Sequence, residues 1–442
     1  MNTLEDVLRL IEEEDVEFIR LQFTDLQGNL KNIAVTAMQF ERVLANGCLF
    51  NAERLDGIER PEGSERLLNP DFSTFEIFPW RPQQGKVARL LCNVEMPDGS
   101  KVNGDPRTKL QEVLAKAKAM GYTFDVGPEC EFFLFETDEN ANPTVHTNEH
   151  AGYFDIGPLD CGENARRDMV LTLEDMGFMV EASHHEVAPA QHEIDLTHDE
   201  ALKMADDIQT FKLAVRTIAK KHGLHATFMP KPLSNQKGSG MHISLALKKD
   251  GKNIFGDATD SNGLSKEGYY FLGGLMKHMR AMSAITNPIV NSYKRLLPDS
   301  DIPRYIAWSR NFRNQMIRIP AHQTQKHTRI ELRNPDASAN PYLMLALILA
   351  AGLDGIENKI MPPKAIDEDI DKMSAQQRSQ LGLEVLPDNL REAINVFEQD
   401  TFVRSVLGDH LVNRYAMIKR AEWQKFMREV SQWELDAYLE RY

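Results

Sequence analysis

The stretch that most constrains this chain is a short aromatic segment with two acidic residues, Gly127–Phe135. It starts at a Gly-Pro break and is rich in the aromatic residues that favour β-strands. Side chains i and i+2 of a strand share a face, so Glu129 and Glu131 project together while Phe132 and Leu134 face the other way. Two adjacent carboxylates repel each other unless basic side chains or a divalent metal ion lie between them. An edge strand with a solvated acidic face is the alternative interpretation of this segment alone.

Length and composition limit the class of protein. A chain of 442 residues exceeds one compact core, which favours two domains. The net charge of −15 argues against general nucleic-acid binding. The longest apolar run, Tyr342 to Leu353, is too short to cross a bilayer, and the acidic start lacks the features of a signal peptide. The four cysteines are widely spaced, as expected for reduced thiols in the cytoplasm.

The chain divides near Gly104, where Gly104-Asp105-Pro106 marks a break. Before it we predict a small α+β unit with a helix at Thr3–Glu14, strands at Val16–Phe23, Leu30–Val35 and Lys86–Val94, a short helix at Met38–Ala45 and a polar loop at Leu49–Asn69.

After the break, Asp105 is predicted to cap a helix that begins at Pro106. Further helices are predicted at Glu163–Met176, Ala201–His222 and Tyr342–Leu353, with strands at Ala226–Met229 and His242–Leu247. The remainder of the C-terminal part is predicted to be mostly helical.

More candidate metal ligands follow the acidic strand. Pro189 interrupts the segment between Glu186 and Glu193, so these two carboxylates can converge although an unbroken strand would separate them. His242 follows the glycine-containing segment Gly238–Gly240. That segment is neither a Walker A motif nor a dinucleotide fingerprint, and alone it is most often a plain turn. By itself, His242 is more often a core histidine than a ligand.

Arginines are concentrated late in this acidic chain, and strand alternation places Arg329, Glu331 and Arg333 on one face. Guanidinium groups bind phosphates and carboxylates through paired hydrogen bonds, and internal ion pairing is the alternative interpretation. The cluster comprises Arg304, Arg310, Arg313, Arg318, Arg329 and Arg333.

Five carboxylates and one imidazole together form a constellation that suits Mg²⁺ or Mn²⁺. Metals close to arginines are the groups that phosphoryl transfer requires. The six candidate ligands are Glu129, Glu131, Glu186, Glu193, His242 and Glu331.

Over nearly its whole length the chain resembles class I glutamine synthetase of the alpha type. The resemblance rests on seven segments: Gly127–Phe135, Ser183–Asp195, Lys220–Pro232, Gly238–His242, Asn291–Leu296, Ile317–Pro320 and Asn340–Tyr342. It implies an α+β fold with an N-terminal β-grasp domain at 1–104 and a catalytic domain with a curved antiparallel sheet at 105–442. It also implies a homo-oligomer, a dodecamer of two hexameric rings whose active sites are shared between neighbours, with a place in nitrogen metabolism.

The resemblance also implies roles for individual residues. One metal ion would be held by Glu131, Glu186 and Glu193, and the other by Glu129, His242 and Glu331. ATP would contact Glu181, Ser244, Arg313, Arg318 and Arg329, with Arg313 also helping to transfer the phosphoryl group. Glutamate would be bound by Gly238, Arg295, Arg313 and Arg333. The acceptor side would comprise Asn51, Arg54, Tyr153, Glu186, Lys237 and Asp301, of which Asn51, Glu186 and Asp301 would act in catalysis with Arg313.

The departures from the family pattern cluster on the acceptor side. Where the family carries Asp-Gly-Ser-Ser, this chain has Asn51–Arg54, and the flap glutamate is replaced by Asp301 in Pro298–Pro303. The family asparagine before Gly-Ser-Gly is Lys237. Ammonium is a cation that a carboxylate binds and deprotonates, so these changes disfavour it. A shift in loop register would restore a carboxylate from Glu53 or Asp56.

We therefore predict an ATP-dependent glutamate–amine ligase that acts through γ-glutamyl phosphate on a primary organic amine. Two alternatives stay open: an authentic glutamine synthetase, and a weakly active paralogue with a scaffold or regulatory role. The intact set of metal ligands argues against the scaffold, which has no physical need for them.

Overall fold

The computed structural model describes residues 3–55, 57–58, 63–297, 304–312, 315–321 and 324–442. Among them, no helix combines the length and the apolar character that a bilayer-spanning segment needs.

The N-terminal unit is one five-stranded sheet with two helices. Its elements are α1 (Leu4–Glu13), β1 (Val16–Thr24), β2 (Leu30–Thr36), α2 (Ala37–Asn46), β3 (Cys48–Asn51), β4 (Glu65–Ile77) and β5 (Lys86–Glu95). The strand order is β2-β1-β5-β4-β3, and the central pair β1–β5 is parallel.

The predicted polar loop at Leu49–Asn69 is wrong. It contains most of β3 and the start of β4, which pair from Cys48↔Leu68 to Asn51↔Glu65. Charged residues in the connection after β3, among them Glu53 and Arg54, obscured this pairing, and β3 itself is short and only partly buried.

The second unit is built on a ten-stranded sheet. Its first elements are α3 (Pro106–Ala119), β6 (Tyr122–Glu136), α4 (Glu163–Asp175), β7 (Val180–His185), β8 (Gln191–Leu196), β9 (Asp199–Glu200), α5 (Ala201–Lys221), β10 (Leu224–Thr227), β11 (Met241–Lys249) and β12 (Lys252–Asn253). After these come α6 (Lys266–Thr286), α7 (Val290–Arg295), β13 (Trp308–Ser309), β14 (Ile317–Arg318), β15 (Ile330–Leu332), α8 (Pro341–Glu357), α9 (Ala375–Gln380), α10 (Leu390–Gln399), α11 (Thr401–Leu407), α12 (Asp409–Phe426) and α13 (Gln432–Tyr438).

The large sheet runs in the order β13-β14-β15-β11-β6-β8-β7 and curls into a half-barrel. Apart from β13–β14 its pairs are antiparallel. Strand β6 lies near its centre, and its buried Cys130, Phe132 and Leu134 join the main core formed with the helices. The opposite alternation leaves Glu129 and Glu131 on the concave, polar face.

Helix caps follow the sequence closely. The Asp105 side chain accepts the N–H of Thr108 at the start of α3, with Pro106 as first residue, which confirms that prediction. At α8, Asn340 accepts the N–H groups of Tyr342 and Leu343. The very apolar α8 is buried almost throughout because α3, α5, α6 and α11 pack against it.

A buried ion-pair cluster joins the two units. The Arg107 guanidinium donates to both carboxylate oxygens of Asp206 at 2.9 and 2.8 Å, and at 2.8 Å to Asp71 of β4. The hydroxyl of Tyr342 donates to Asp206 at 2.7 Å. Every member therefore has a partner of opposite charge or a hydrogen bond, as buried charges require.

Candidate active site

Three predicted ligands from neighbouring strands converge at the centre of the sheet. His242 of β11 lies opposite Glu129 of β6, and Ser244 lies opposite Glu331 of β15. His242 Nδ1 is 3.1 Å from a Glu129 oxygen and 3.7 Å from a Glu331 oxygen. One ligand atom from each of the three lies within 4.8 Å of the others, a spacing that could hold a metal ion. We call this group the Glu129 cluster.

Positive charge surrounds the Glu129 cluster. Burial favours the neutral form of Glu129, but the hydrogen bond from His242 and the charges of His242, Arg333 and Arg318 outweigh it, so its pKa lies below the usual value. Glu331 accepts from Arg318 at 3.3 Å and lies 3.2 Å from Arg333 Nε. The lowered pKa of Glu129 favours its ionised form, which is the form that binds a metal ion.

The other three predicted ligands form a second group, the Glu193 cluster. Glu131 of β6 lies directly opposite Glu193 of β8. Glu186 follows β7 and reaches the same place because the chain turns back at Ala190, whose φ is +62°. The Glu186 and Glu193 side chains share a hydrogen bond. The proline-interrupted segment therefore brings these carboxylates together, as its sequence predicts.

Among the described residues, the Glu193 cluster has no arginine ion pair like those of Glu331. Burial and the neighbouring Glu131 carboxylate raise the pKa of Glu186, and they raise that of Glu193 well above the usual value. Burial also raises the pKa of Asp195 to about 6. One Asp195 oxygen is buried without a hydrogen-bond partner among the described residues. Buried oxygens that destabilise one another are a donor set that fits a hard divalent cation.

Sequence reasoning missed two members of this site, His184 and Asp195. His184 lies 3.7 Å from Glu186 and 3.9 Å from Glu193, and it forms a possible ligand group with Glu193 and Asp195. Asp195 stands two residues after Glu193 on the same strand face. The period of two could have found it.

A buried network supports the turn that carries Glu186. His185 Nε2 is 2.6 Å from a Glu149 oxygen, and its Nδ1 is 2.7 Å from the Glu186 carbonyl. Glu149 also accepts the N–H of Ala190. These contacts fix the turn from both sides and so orient the Glu186 side chain.

Arg166 lies next to this network, in contact with Asp160 and His192. Its guanidinium is 2.7 Å from Asp160 and 2.7 Å from His192 Nδ1. Burial and the charge of Arg166 lower the pKa of His192 well below its usual value, which keeps the ring neutral. Because Arg166 already supplies positive charge, an ion-pair network accounts for the group Glu149, Asp160, His185 and His192 without a metal ion.

The Gly238–Gly240 loop positions a buried arginine beside the Glu193 cluster. The Gly240 N–H donates to Glu131 at 2.8 Å. A Cβ at Gly240 would lie 2.3 Å from the Arg295 guanidinium, and one at Gly238 would lie 2.3 Å from the Pro230 carbonyl. Both positions therefore require glycine because backbone and side chain approach so closely.

Arg295 is 1% exposed and is held by backbone carbonyls. Its guanidinium donates to the carbonyls of Arg333, Asn334 and Pro335 at 2.8 to 3.2 Å. Its Nε has no hydrogen-bond partner among the described residues. The predicted glutamate ligands Gly238, Arg295 and Arg333 thus lie along one side of the metal-ligand clusters.

The predicted ATP ligands are only partly described. Arg318 contacts Glu331, and Ser244 is buried between β6 and β15. Arg329 donates to the carbonyls of Lys326 and Thr328. Glu181 is exposed near the start of β7. Arg313 lies outside the described residues.

The predicted acceptor residues fall in two places. Tyr153 stacks on Phe154 with ring centroids 3.9 Å apart, and both rings meet His184 edge-on. Asn51 is the last residue of β3, and Arg54 lies three residues after it. Strand β3 belongs to the N-terminal sheet, whereas the candidate metal ligands lie on the large sheet of the second unit. The Asn51 side chain accepts the N–H of Glu53 at 2.8 Å. Lys237 directly precedes the glycine loop, while Asp301 and Asp56 lie outside the described residues.

Comparisons with known proteins agree with this architecture. Residues 15–97 match the family described as glutamine synthetase, beta-Grasp domain, and residues 103–438 match glutamine synthetase, catalytic domain. A glutamine synthetase of Clostridium saccharobutylicum is 53% identical over 440 residues, covering 100% of this chain and 99% of that protein. One from Staphylococcus aureus strain Mu50 is 48% identical over 441 residues, with 100% and 99% coverage.

Among solved structures, one titled as a GmaS/ADP complex superimposes with a TM-score of 0.89 at 33% identity, covering 98% of this chain and 99% of the other. These matches confirm the predicted β-grasp and catalytic folds. The chain therefore belongs to the glutamine synthetase family, whose members are ATP-dependent ligases that use divalent metal ions.

Proposed function

We propose that this protein joins glutamate to a primary organic amine at the expense of ATP. The observation that carries the chemistry is the pair of neighbouring ligand clusters on one sheet, with Arg318 and Arg333 paired to Glu331 of the first cluster. The Glu129 cluster would hold one Mg²⁺ or Mn²⁺ ion, and Glu131, Glu186 and Glu193 would hold another. Such ions would supply positive charge for the oxygens of the phosphate groups.

The reaction proceeds in two balanced steps. An oxygen of the glutamate side-chain carboxylate attacks the terminal phosphorus of ATP, and ADP leaves. The amine nitrogen then attacks the acyl carbon, phosphate leaves, and the nitrogen gives up one proton as the amide forms. Splitting the reaction through an acyl phosphate replaces one difficult step by two easier ones. We assign Glu186 and Asp301 as the carboxylates that accept this proton.

Substrate contacts are assigned to residues around the two clusters. Arg318, with Arg313, stabilises charge on the transferred phosphoryl group, and Ser244, Arg329 and Glu181 line the nucleotide site. Arg295 and Arg333 bind the carboxylates of glutamate together with Arg313 and the Gly238 backbone. A guanidinium suits this task because it pairs two hydrogen bonds with one carboxylate or phosphate.

Three features support an organic amine as acceptor. Asn51 offers a neutral amide whose oxygen already accepts a backbone N–H, so it cannot deprotonate ammonium. Arg54 and Lys237 add positive charge, which disfavours a small cation. The stacked pair Tyr153 and Phe154 is 49% and 60% exposed beside His184, an apolar wall for the substituent of an amine.

Glutamine synthesis from ammonia is the second candidate. It is favoured by the full-length relatives named glutamine synthetase at 53% and 48% identity. Such similarity preserves the fold and the metal-ligand sheet, whereas the acceptor depends on a few side chains.

Phosphate release from ATP decides between them. The protein is assayed with Mg²⁺ or Mn²⁺ and glutamate against ammonium, alkylamines, arylamines, polyamines and amino acids. We expect kcat/KM to be highest for a primary organic amine, and Asn51→Asp to shift the preference towards ammonium. Asn46→Asp, an exposed site of the same unit, is the charge-matched control. Highest kcat/KM for ammonium in the wild type would refute the proposed acceptor.

We also propose that the units at 1–104 and 105–442 are domains of a ring-shaped homo-oligomer, a dodecamer of two hexameric rings, in which Asn51 and Arg54 serve a neighbour's active site. Their location on a different sheet from the metal ligands supports this. The four free cysteines support a cytoplasmic location. Analytical ultracentrifugation tests the assembly: a monomer that is fully active would exclude shared sites.

A further inference from the structure

A large cavity away from the metal ligands lies between the two units. Its volume is about 730 Å³, and it is lined by the β1–β2 hairpin on one side and by α5, β10, α7 and α12 on the other. Gln209 of α5 bridges the two sides, because its amide donates to Thr24 and to the Gly28 carbonyl at 3.0 Å. Anything bound here contacts both units at once.

The lining is rich in positive charge. Four cationic side chains and one carboxylate line the cavity: Lys31, Lys212, Arg216, Lys419 and Glu422. Glu422 is already paired with Lys419 at 3.0 Å and accepts the N–H of Val290. Lys31 is 3.5 Å from Asp25. Among the described residues, Lys212 and Arg216 have no carboxylate partner.

Lys212 is the most constrained of these cations. It is 8% exposed, and its ammonium donates to the Ala337 carbonyl at 3.2 Å. Burial, together with the charge of Arg216, lowers its pKa to about 8. Arg216 lies one helical turn further along α5, with its guanidinium 5.3 Å from the Phe228 ring centroid. The charge of Asp336 offsets part of the fall in the pKa of Lys212 without forming an ion pair with it. A buried ammonium that is only partly compensated is costly, and an anion beside it reduces that cost.

The cavity wall continues into the active site. Thr227, Phe228 and Met229 line the cavity, and the next residue, Pro230, accepts the N–H of Ser239 at 2.8 Å. Asn291 also lines the cavity and accepts the Lys231 N–H at 2.7 Å, at the start of the helix that carries Arg295. A shift of this wall therefore reaches both the glycine loop and Arg295.

We propose that this cavity is an effector site for an anion with a carboxylate or phosphate group, bound between Lys212 and Arg216. The bound anion holds the N-terminal hairpin against the catalytic unit and changes the affinity of the active site for glutamate. The anion is either a small solute or the acidic side chain of a second copy of this chain.

Calorimetric titration with inorganic phosphate tests the solute. The wild type is compared with Arg216→Gln, Lys212→Met and the control Lys221→Gln, which lies exposed on the same helix outside this cavity. Phosphate is also a reaction product, so it binds the active site as well. The affinity assigned to the cavity is therefore the part that is lost in Arg216→Gln and kept in Lys221→Gln. We expect that affinity to weaken at least tenfold in Arg216→Gln, and phosphate to change the KM for glutamate more in the wild type and the control than in Arg216→Gln.

Assembly tests the other source. If a neighbour's acidic side chain fills the cavity, Arg216→Gln lowers the fraction of assembled protein in sedimentation while phosphate affinity is unchanged, and the structure of the assembly shows that carboxylate between Lys212 and Arg216. The inference is overturned if Arg216→Gln, which is exposed and leaves the core intact, alters neither phosphate affinity nor assembly. This readout needs no turnover, so it is independent of the proposed reaction.

Discussion

Replacing Glu193 by glutamine separates the stability of the protein from its affinity for metal. In the wild type, burial and the Glu131 carboxylate raise the pKa of Glu193 well above its usual value, so its ionised form destabilises the metal-free protein. Glutamine has the same shape, removes the charge and can still donate to Asp195. We expect the metal-free Glu193→Gln variant to be at least as stable as the metal-free wild type.

The size of the effect on metal binding follows from linkage. Burial is the main cause that raises the pKa of the neighbouring Asp195 to about 6, so the metal-free site disfavours ionised carboxylates there as well. At one hundred times its Kd a metal ion stabilises the folded state by about 2.7 kcal/mol, and a hundredfold loss of affinity reduces this to about 0.4 kcal/mol.

Thermal unfolding with EDTA, Mg²⁺ or Mn²⁺ measures both quantities. The wild type and the exposed control Glu174→Gln should show a clear rise in Tm with metal, whereas Glu193→Gln should start at an equal or higher Tm and rise little. The reasoning is refuted if the metal-free variant is less stable than the wild type and still shows the full metal-induced rise.

Three further predictions rest on other parts of the structure. Gly240→Ala introduces a Cβ 2.3 Å from the Arg295 guanidinium, so we expect the KM for glutamate to rise about tenfold with smaller change in that for ATP; steady-state kinetics showing equal changes would contradict this. Asp206→Asn leaves the buried Arg107 without its main counter-charge, so we expect the free energy of unfolding to fall by about 3–5 kcal/mol. Urea unfolding measures it, and a fall of less than about 1 kcal/mol would contradict the prediction. Lys212 has a folded-state pKa of about 8, below the 10.5 of the unfolded chain, so the unfolded state binds more protons between these values. Stability should therefore rise with pH through this window, and Lys212→Met should lack that part of the rise; parallel Tm profiles for the two proteins would oppose it.

Local signals predicted much of the fold. The caps Asp105 and Asn340 and the helical periodicity placed α3 and α8 correctly, because capping and amphipathic spacing act within a few residues. The period of two in β6 separated Glu129 and Glu131 from the core residues of the same strand. The same rule failed for β3, whose pairing with β4 depends on residues fourteen or more positions away.

The candidate site was likewise predicted only in part from the sequence. The identities of the six predicted ligands could be read from residue type and from the family resemblance, and the structure places them in two adjacent groups. His184 escaped notice because its position opposite Glu193 depends on the register between β7 and β8, whereas Asp195 lies on the same strand face as Glu193 and follows from the period of two. The roles assigned to the site residues, including Arg313 and Asp301, remain predictions.

The sequence by itself determined the family, the alternation that exposes the acidic residues of β6 and the chemical type of the metal ligands, since each of these depends on residue identity and local geometry. Only the tertiary structure decided which charges meet. It places positive charge around Glu129, buries Glu193 beside Glu131, and holds Arg295 with three backbone carbonyls. It also places Lys212 and Arg216 along a cavity between the two units. These pairings join residues far apart in the chain, and their energies depend on distance and burial, which are properties of the folded state alone.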